Sequence, residues 1–399
     1  MFNGNYILIS ITLIVSASIS ASNKNKLGFD NLDQANILYI SSWNKDLPWQ
    51  RDIESSLKSQ LTKDPRDINL FTEYLDSSRF NHRNYYEEFK NYLSKKYSFK
   101  IDLVITQSDP AAIFLKSFPE LLPGTKRFYV SSNSNVLPEG NDIQTLNILE
   151  DFDTSISEAI KVSGAKNIYI IGDSSEDDGD IRISNIRKSE KNIGSGVNFH
   201  YLIDVPFDEL IDRVSELSNE SIIYYALIYN TGDKKITPYK GAQLLSKYAN
   251  RPIFSHWDSL IGSGIIGGYL ISGEALGIAI YQNINAFLSS ESLMSIQSDK
   301  IAKKHIYDWH QTVRWNINLN NISEGFIIRN KPPTLYEQFK VQVIGAALIF
   351  ITLILLTGSL IISNTRRKVL VSELEMERAS LEEKVDLRTE ELKNLTGKL

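Results

Sequence analysis

The chain has 399 residues, 43 Lys and Arg against 48 Asp and Glu, a net charge of −5 and no cysteine. The missing cysteine excludes structural disulfides, thiolate metal sites and cysteine nucleophiles. Dispersed, mildly acidic charge offers no basic face for nucleic acid. A chain of this length buries a core large enough to stand without covalent staples.

Residues 1–22 carry an export signal. Tyr6 to Val15 is largely apolar, and the small residues Ser16, Ala17, Ser18, Ser20, Ala21 and Ser22 come after it, as in a cleavable signal peptide. No Lys or Arg precedes the apolar stretch, which leaves an uncleaved signal anchor as the alternative. Either one exports the large domain behind it.

From Asn36 onward short apolar runs alternate with amphipathic stretches. Ile37 to Ile40 reads as a buried strand, and Pro48 opens a helix with Ile53, Leu57 and Leu61 on one face. Leu70 to Leu75 is the next strand, Tyr85 to Tyr97 a helix and Ile101 to Thr106 a third strand. Pro110 begins a helix, and Phe128 to Ser131 is a fourth strand. The pattern then restarts, with strands at Asn167 to Ile171, Phe199 to Ile203, Ile222 to Tyr229, Pro252 to Ser255 and Gly267 to Ile271. Helices open at Pro206 and Pro238, and one from Glu274 to Leu288 closes the series. Continuous rather than alternating apolarity suits parallel strands covered on both faces. Two successive series predict an α/β fold of two doubly wound lobes, residues 33–150 and 151–300, with Thr145 to Glu150 as the hinge crossing. Residues 301–340 read as an extracytoplasmic stalk.

In open α/β sheets ligands sit beyond the carboxyl ends of the strands. Those ends carry Ser41-Ser42-Trp43, Ser108-Asp109, Ser131-Ser132-Asn133, Asp173-Ser174-Ser175, Tyr229-Asn230-Thr231 and His256-Trp257-Asp258. The predicted ligand contacts are Ser42, Trp43, Ser108, Asp109, Ser132, Asn133, Asp173, Ser174, Tyr229, His256, Trp257 and Asp258, converging where two lobes face each other across a hinged cleft. Trp43, Trp49 and Trp257 offer rigid surface for a planar or apolar ligand, or else pack against their own lobe. Asp109 and Asp258 suit an amino or hydroxyl group, although Asp109 before Pro110 also reads as a helix N-cap.

The remaining constellations point away from catalysis. The acidic loop of Asp173, Glu176, Asp177, Asp178 and Asp180 with Gly179 does not keep the spacing of a calcium loop. The histidines His82, His200, His256, His305 and His310 show no paired zinc spacing, and no G-x-S-x-G elbow is present. Gly262, Gly264, Gly267 and Gly268 fall outside any dinucleotide or phosphate-loop register and read as tight turns. No cofactor, metal or catalytic residue is expected.

Val341 to Ile362 contains no charge and is followed by Arg366-Arg367-Lys368. About 20 such residues cross the hydrocarbon core, so residues 341–363 read as one transmembrane helix. The basic triplet marks the cytoplasmic end, which places the large N-terminal part outside, in the periplasm. In residues 364–399, Leu374, Leu381, Arg388 and Leu395 fall at heptad position d, and Arg378, Val385, Leu392 and Leu399 at a. This is a coiled-coil seam that would pair two copies of the chain.

The stretches ILYISSWNKDLPWQRDIESSL, EYLDSSRFNHRNYYEEF, DLVITQSDPAAIFL, RPIFSHWDSLIGSGIIGGYLIS and DWHQTVRWNIN…PPTLYEQFK resemble, in order and spacing, the substrate-binding-protein-like sensor domains fused to bacterial signalling proteins. The resemblance covers roughly residues 33 to 363. It implies a periplasmic-binding-protein fold, type I-like and of the ABC-transporter kind, serving as input module of a sensor histidine kinase or diguanylate cyclase in the bacterial inner membrane. LEEKVDLRTEEL resembles the helical linker that precedes such catalytic units. No phospho-acceptor histidine, ATP-binding glycine box or GGDEF-like motif stands between it and Leu399. The expectation is therefore a non-enzymatic sensory receptor for a small solute in a two-component or cyclic-di-GMP system. Its output would lie in a separate kinase, cyclase or response regulator, or in a continuation of the gene product. A membrane-tethered component of an ABC importer is the alternative, and an exported enzyme a distant third.

Overall fold

The computed structural model describes residues 34–140, 143–174, 179–194, 196–230, 235–289, 303–321 and 325–396. The predicted signal segment 1–22 lies outside them. The chain forms two compact units, Met1–Asn330 and Lys331–Leu399.

The first unit begins with β1 (Gln34–Ser41), α1 (Pro48–Leu61), β2 (Asp67–Tyr74), α2 (Arg83–Lys96), β3 (Leu103–Gln107), α3 (Asp109–Ser117), β4 (Lys126–Ser131) and β5 (Ile143–Asn147). The strands form one parallel sheet in the order β2-β1-β3-β4-β5. The unbroken apolar run of β1 has its reason here: Ile37 and Tyr39 enter the core on the α1 face, Leu38 and Ile40 the core on the α2 and α3 face. With both faces covered, neither register of side chains can be polar.

The chain then crosses to a second lobe of α4 (Phe152–Ser163), β6 (Asn167–Gly172), α5 (Gly179–Ile193), β7 (Asn198–Ile203), α6 (Phe207–Ser215), β8 (Ser221–Tyr225), α7 (Pro238–Tyr248), β9 (Ile253–Phe254) and β10 (Gly267–Ile271). Its parallel sheet runs β7-β6-β8-β9. Ile266 N–H donates to the Ile253 carbonyl at 2.7 Å and Ile271 N–H to the His256 carbonyl at 2.8 Å, so β10 continues the sheet beyond β9. Gly267 and Gly268, at φ of 118° and 137°, start β10 in a conformation closed to other residues. Of the glycines expected in tight turns, Gly262 and Gly264 stand in one, at φ of 88° and 100°, whereas Gly267 and Gly268 belong to the strand.

Several expectations are corrected here. Helix α8 (Gly273–Leu288), assigned by chain order to the second lobe, packs on α1 in the first; Ser56 Oγ donates to the Glu274 carbonyl at 2.8 Å. Its apolar face fits either lobe in principle, and only the crossing after β10 decides which. Residues 301–340 do not form a stalk throughout: β11 (Lys303–Asp308) pairs antiparallel with β10, the short helix α9 (Trp309–Arg314) follows it, and β12 (Ile327–Arg329) pairs parallel with β11. The segment that leaves the first lobe starts at Ile148 rather than Thr145, because β5 runs to Asn147. Strand β8 stops at Tyr225 instead of Tyr229, with Leu227 at a φ of 68° turning the chain. Helices α4 and α5 have no counterpart among the predicted elements. For α4 the signals existed, since Asp151 caps the Thr154 N–H at 3.1 Å and Gly164 ends the helix in left-handed geometry.

The second unit holds α10 (Leu335–Gln338) and α11 (Lys340–Thr396), the latter 57 residues and about 85 Å long. It is apolar enough over its first part to cross a membrane, by length and composition. The expected span and the expected heptad segment as far as Thr396 lie on this one helix, and Leu399 lies outside the described residues. Leu374, Leu381, Val385 and Leu392 are exposed along it.

A Cβ at Gly277 of α8 would meet the Ile53 carbonyl oxygen, the Ser56 Cβ at 2.9 Å and the Leu57 nitrogen at 3.1 Å. Backbone cannot yield as a side-chain tip does. Gly277→Ala is therefore expected to destabilise the first lobe by about 1–3 kcal/mol, despite the gain in helix propensity of about 1 kcal/mol. A melting temperature of the full chain that is unchanged or raised would contradict this packing.

Candidate functional site

In a 2-1-3-4-5 sheet the chain leaves β1 and β3 toward opposite faces, which opens a crevice at their carboxyl ends. The second lobe repeats this between β6 and β8. The two crevices face each other. Trp43, after β1, stacks on Tyr229, after β8, with ring centroids 6.2 Å apart and planes 18° from parallel. The Trp49 backbone N–H donates to the Tyr239 hydroxyl at 3.1 Å, and Lys235 Nζ to the Ser78 carbonyl at 2.8 Å. These contacts hold the lobes closed over a cavity of about 110 Å³.

Six of the predicted contacts line that cavity: Trp43, Ser108, Asp109, Ser132, Tyr229 and Trp257, with Trp49 beside them. Ser108 takes a φ of 71° at the cap position of α3, and Gln107 Nε2 donates to its Oγ at 2.5 Å. Asp109 thus stands in the first helical turn and not at the N-cap. Its buried carboxylate accepts from Ser131 Oγ.

The other six serve the scaffold. Ser42 Oγ donates to the Gln107 carbonyl at 2.7 Å and accepts from Ala111 N–H at 2.9 Å, closing the end of β1. Asn133 caps a short turn by accepting from Asn135 N–H at 3.0 Å. Asp173 Oδ2 accepts from the backbone N–H groups of Tyr229 and, at 2.9 Å, Asn230, and so shapes the loop that presents Tyr229. Ser174 bonds Asp204 through its N–H and hydroxyl at 2.8 and 2.6 Å. Asp258 accepts from Gly273 N–H at 3.2 Å and pairs with Arg329 at 3.4 Å. His256 is fully buried against Phe152 and Trp257, at centroid distances of 4.8 and 5.4 Å. Glu176, Asp177 and Asp178 of the acidic loop, and Thr231, lie outside the described residues.

The strand-end rule missed Gln50, Glu150, Arg182 and Tyr239, which also line the cavity. Gln50 sits in the first turn of α1, next to the Trp49 that the sequence did single out. Arg182 projects from α5, is 2% exposed, and holds its guanidinium 5.4 Å over the Trp257 ring. No signal short of the fold separates it from the other basic residues of that helix.

The site is electrostatically uneven. Burial raises the Asp258 carboxyl above the usual carboxylate range, only partly offset by the Gly273 N–H, Ser272 and Arg329. Asp52 is raised by burial and then by the nearby Asp258. His256 is pushed down to about 3, by burial first and then by the charges of Lys303 and Arg182.

No family model matches the chain, and no curated protein matches it. Solved structures do. A conserved domain protein from Vibrio cholerae O1 biovar El Tor is 12% identical, with a TM-score of 0.55 over 74% of this chain and 99% of that one. An ABC domain from Streptococcus pneumoniae in complex with L-Trp is 14% identical, with a TM-score of 0.52 over 74% and 99% of the two chains. The ligand-free, open structure of a substrate-binding protein with adhesive properties from Clostridium difficile is 13% identical, with a TM-score of 0.52 over 75% and 100%. At such identities the likeness is one of fold, and that fold is the two-lobed, type I arrangement of the solute-binding proteins.

His256 makes acid stability a readout of this packing. The unfolded imidazole takes up its proton near 6.5, the folded one only near 3. The unfolded state therefore binds more protons in between, and stability is full above pH 6.5 and falls as pH drops through that window. Between pH 6.5 and pH 5 the loss is about 2 kcal/mol. His256→Leu should flatten this dependence in denaturant titrations of the full chain; an unaltered slope would show that another group carries it.

Proposed function

We propose that the chain is a membrane-anchored receptor for a small solute, without catalytic activity of its own. The observation that carries this reading is the closed cavity built by both lobes at the facing carboxyl ends of their parallel strands. Aromatic rings from each side would sandwich the ligand, while Asp109, Glu150 and Arg182 supply charge of both signs at its rim. A solute acts on such a module only through its preference for the closed over the open state. The L-Trp complex of the streptococcal neighbour and the substrate-binding description of the clostridial one support a small-molecule ligand.

The remainder of the proposal runs along the chain. The two lobes lie outside the cytoplasmic membrane, α11 crosses it once, and the basic triplet Arg366-Arg367-Lys368 stays within. The heptads beyond it pair two copies, and the pair delivers ligand state to a histidine kinase, cyclase or response regulator of a two-component or cyclic-di-GMP system. Asp258 supports a link between site and exit: it stands between the cavity residues Trp257 and Ser259, and it binds Arg329, next to the end of the first unit. A second reading, a tethered binding component of an ABC importer, is favoured by the same two neighbours. The two differ in what the cytoplasmic helix does.

In nanodiscs, the full chain should show saturable binding and a raised melting temperature with at least one member of a broad panel of amino acids, aromatic acids and other small metabolites. Trp43→Ala should weaken that binding at least about tenfold while lowering the melting temperature of the unliganded chain by no more than about 4 °C, the cost of one inter-lobe stack. A panel without any saturable member would sink the receptor and importer readings together. Because the chain has no cysteine, single-cysteine variants separate them. Leu381→Cys, at the seam, should form a disulfide-linked dimer in membranes far more readily than Glu383→Cys, on the outer face. Equal cross-linking would favour the importer component.

A further inference from the structure

Resting on the solute-binding reading, we propose that the cavity selects a planar ring bearing an N–H or O–H donor, and that Gln50 Oε1 is the acceptor that reads it. Five rings, of Trp43, Trp49, Tyr229, Tyr239 and Trp257, line the cavity. Flat walls of this kind favour a flat guest.

Gln50 lines the same space and is fully buried. Its Nε2 donates to Glu54 Oε1 at 3.0 Å and to the Tyr39 hydroxyl at 3.2 Å. The Glu54 carboxylate also accepts from Lys58 Nζ at 2.8 Å and from the Tyr74 hydroxyl at 2.9 Å. A carboxylate placed among donors accepts and does not give, so the amide nitrogen must face it. That fixes the flip of the carboxamide and leaves Oε1 outside the network. Oε1 is buried without a hydrogen-bond partner among the described residues. Buried acceptors are almost always satisfied, and here the cavity is the side from which a donor would come.

Selectivity comes from the same network. Lys58, Glu54 and Tyr74 hold Gln50 rigidly, so it cannot swing out to water when the guest lacks a donor. A guest with the same shape but no ring donor leaves Oε1 buried and unpaired, which a site of this type resists more strongly than a small loss of apolar contact.

The test compares ring pairs on the full chain in nanodiscs: indole against benzothiophene, and L-tryptophan against 3-benzothienyl-L-alanine, in which sulfur replaces the ring N–H. In the wild-type chain the N–H member of each pair should bind about 10- to 100-fold more tightly. In Gln50→Met that preference should vanish. Should Gln50→Met fail to fold, the wild-type comparison decides alone. Equal wild-type affinities within each pair would overturn the inference and leave solute binding intact. So would saturable binding of aliphatic solutes with none of the rings. If neither rings nor aliphatic solutes bind, the solute-binding reading fails and takes this inference with it.

Discussion

One side chain packs against cores of both lobes. Trp257 packs against the first-lobe core on the α1 and α8 face, and against both cores that flank the second-lobe sheet. It comes three residues after the end of β9, forms a parallel bridge to Ile271, and carries the Arg182 guanidinium over its ring. A ring shared by three cores cannot leave any of them cheaply, because each contact surface is close-packed. Trp257 thus both lines the cavity and stands where the two lobes meet.

Charge reinforces that meeting point. Asp258 is buried, accepts from the first N–H of α8 at Gly273, and is paired with Arg329 of β12. One carboxylate thus ties the residue after Trp257, the helix that returns to the first lobe, and the last strand of the second. Burial raises Asp258, and Asp52 of α1 rises with it. Two carboxyls this close disfavour each other's charge, and Arg329 is the group that opposes the repulsion. Any movement at the hinge that draws Arg329 away changes the energy of both acids.

Most of the fold was legible because its punctuation was local. Proline opens α1, α3 and α7 and stands at the cap of α6, and each falls where the sequence placed a helix start. Apolar runs located β1 to β4 and β6 to β10, whereas β5, whose alternating IQTLN run has no continuous apolar stretch, reads as part of the hinge crossing. Lobe membership was not legible. The choice between lobes for α8 depends on where β10 ends, and β11 carries only Ile306 and Tyr307 as buried apolar residues in a half-polar run. Around the cavity, some of the strand-end residues line it and others are held in the scaffold. Ser42, Asp173 and Asp258 are spent on backbone N–H groups and carbonyls that the strands leave unpaired as they turn. The residues that took their places, Gln50 and Arg182, come from helices, where one polar residue looks like the next until packing decides.

The long helix sets a further constraint on the proposed receptor. A single rod of about 85 Å transmits a shift or rotation without loss only if its far end is not already locked. The heptad seam contains Arg378 and Arg388, which bond along their own helix to Glu382 at 3.0 Å and Glu391 at 3.2 Å. Charged residues at a and d weaken a coiled coil relative to an apolar seam. A solute can shift the pair only by its differential affinity for closed and open lobes, a few kcal/mol at most in ordinary allosteric coupling. A fully apolar zipper would resist a bias of that size, whereas a seam interrupted by two arginines, each with an alternative partner on its own helix, lies within its reach. On this reading the weakness of the tail is what lets a small cavity govern it.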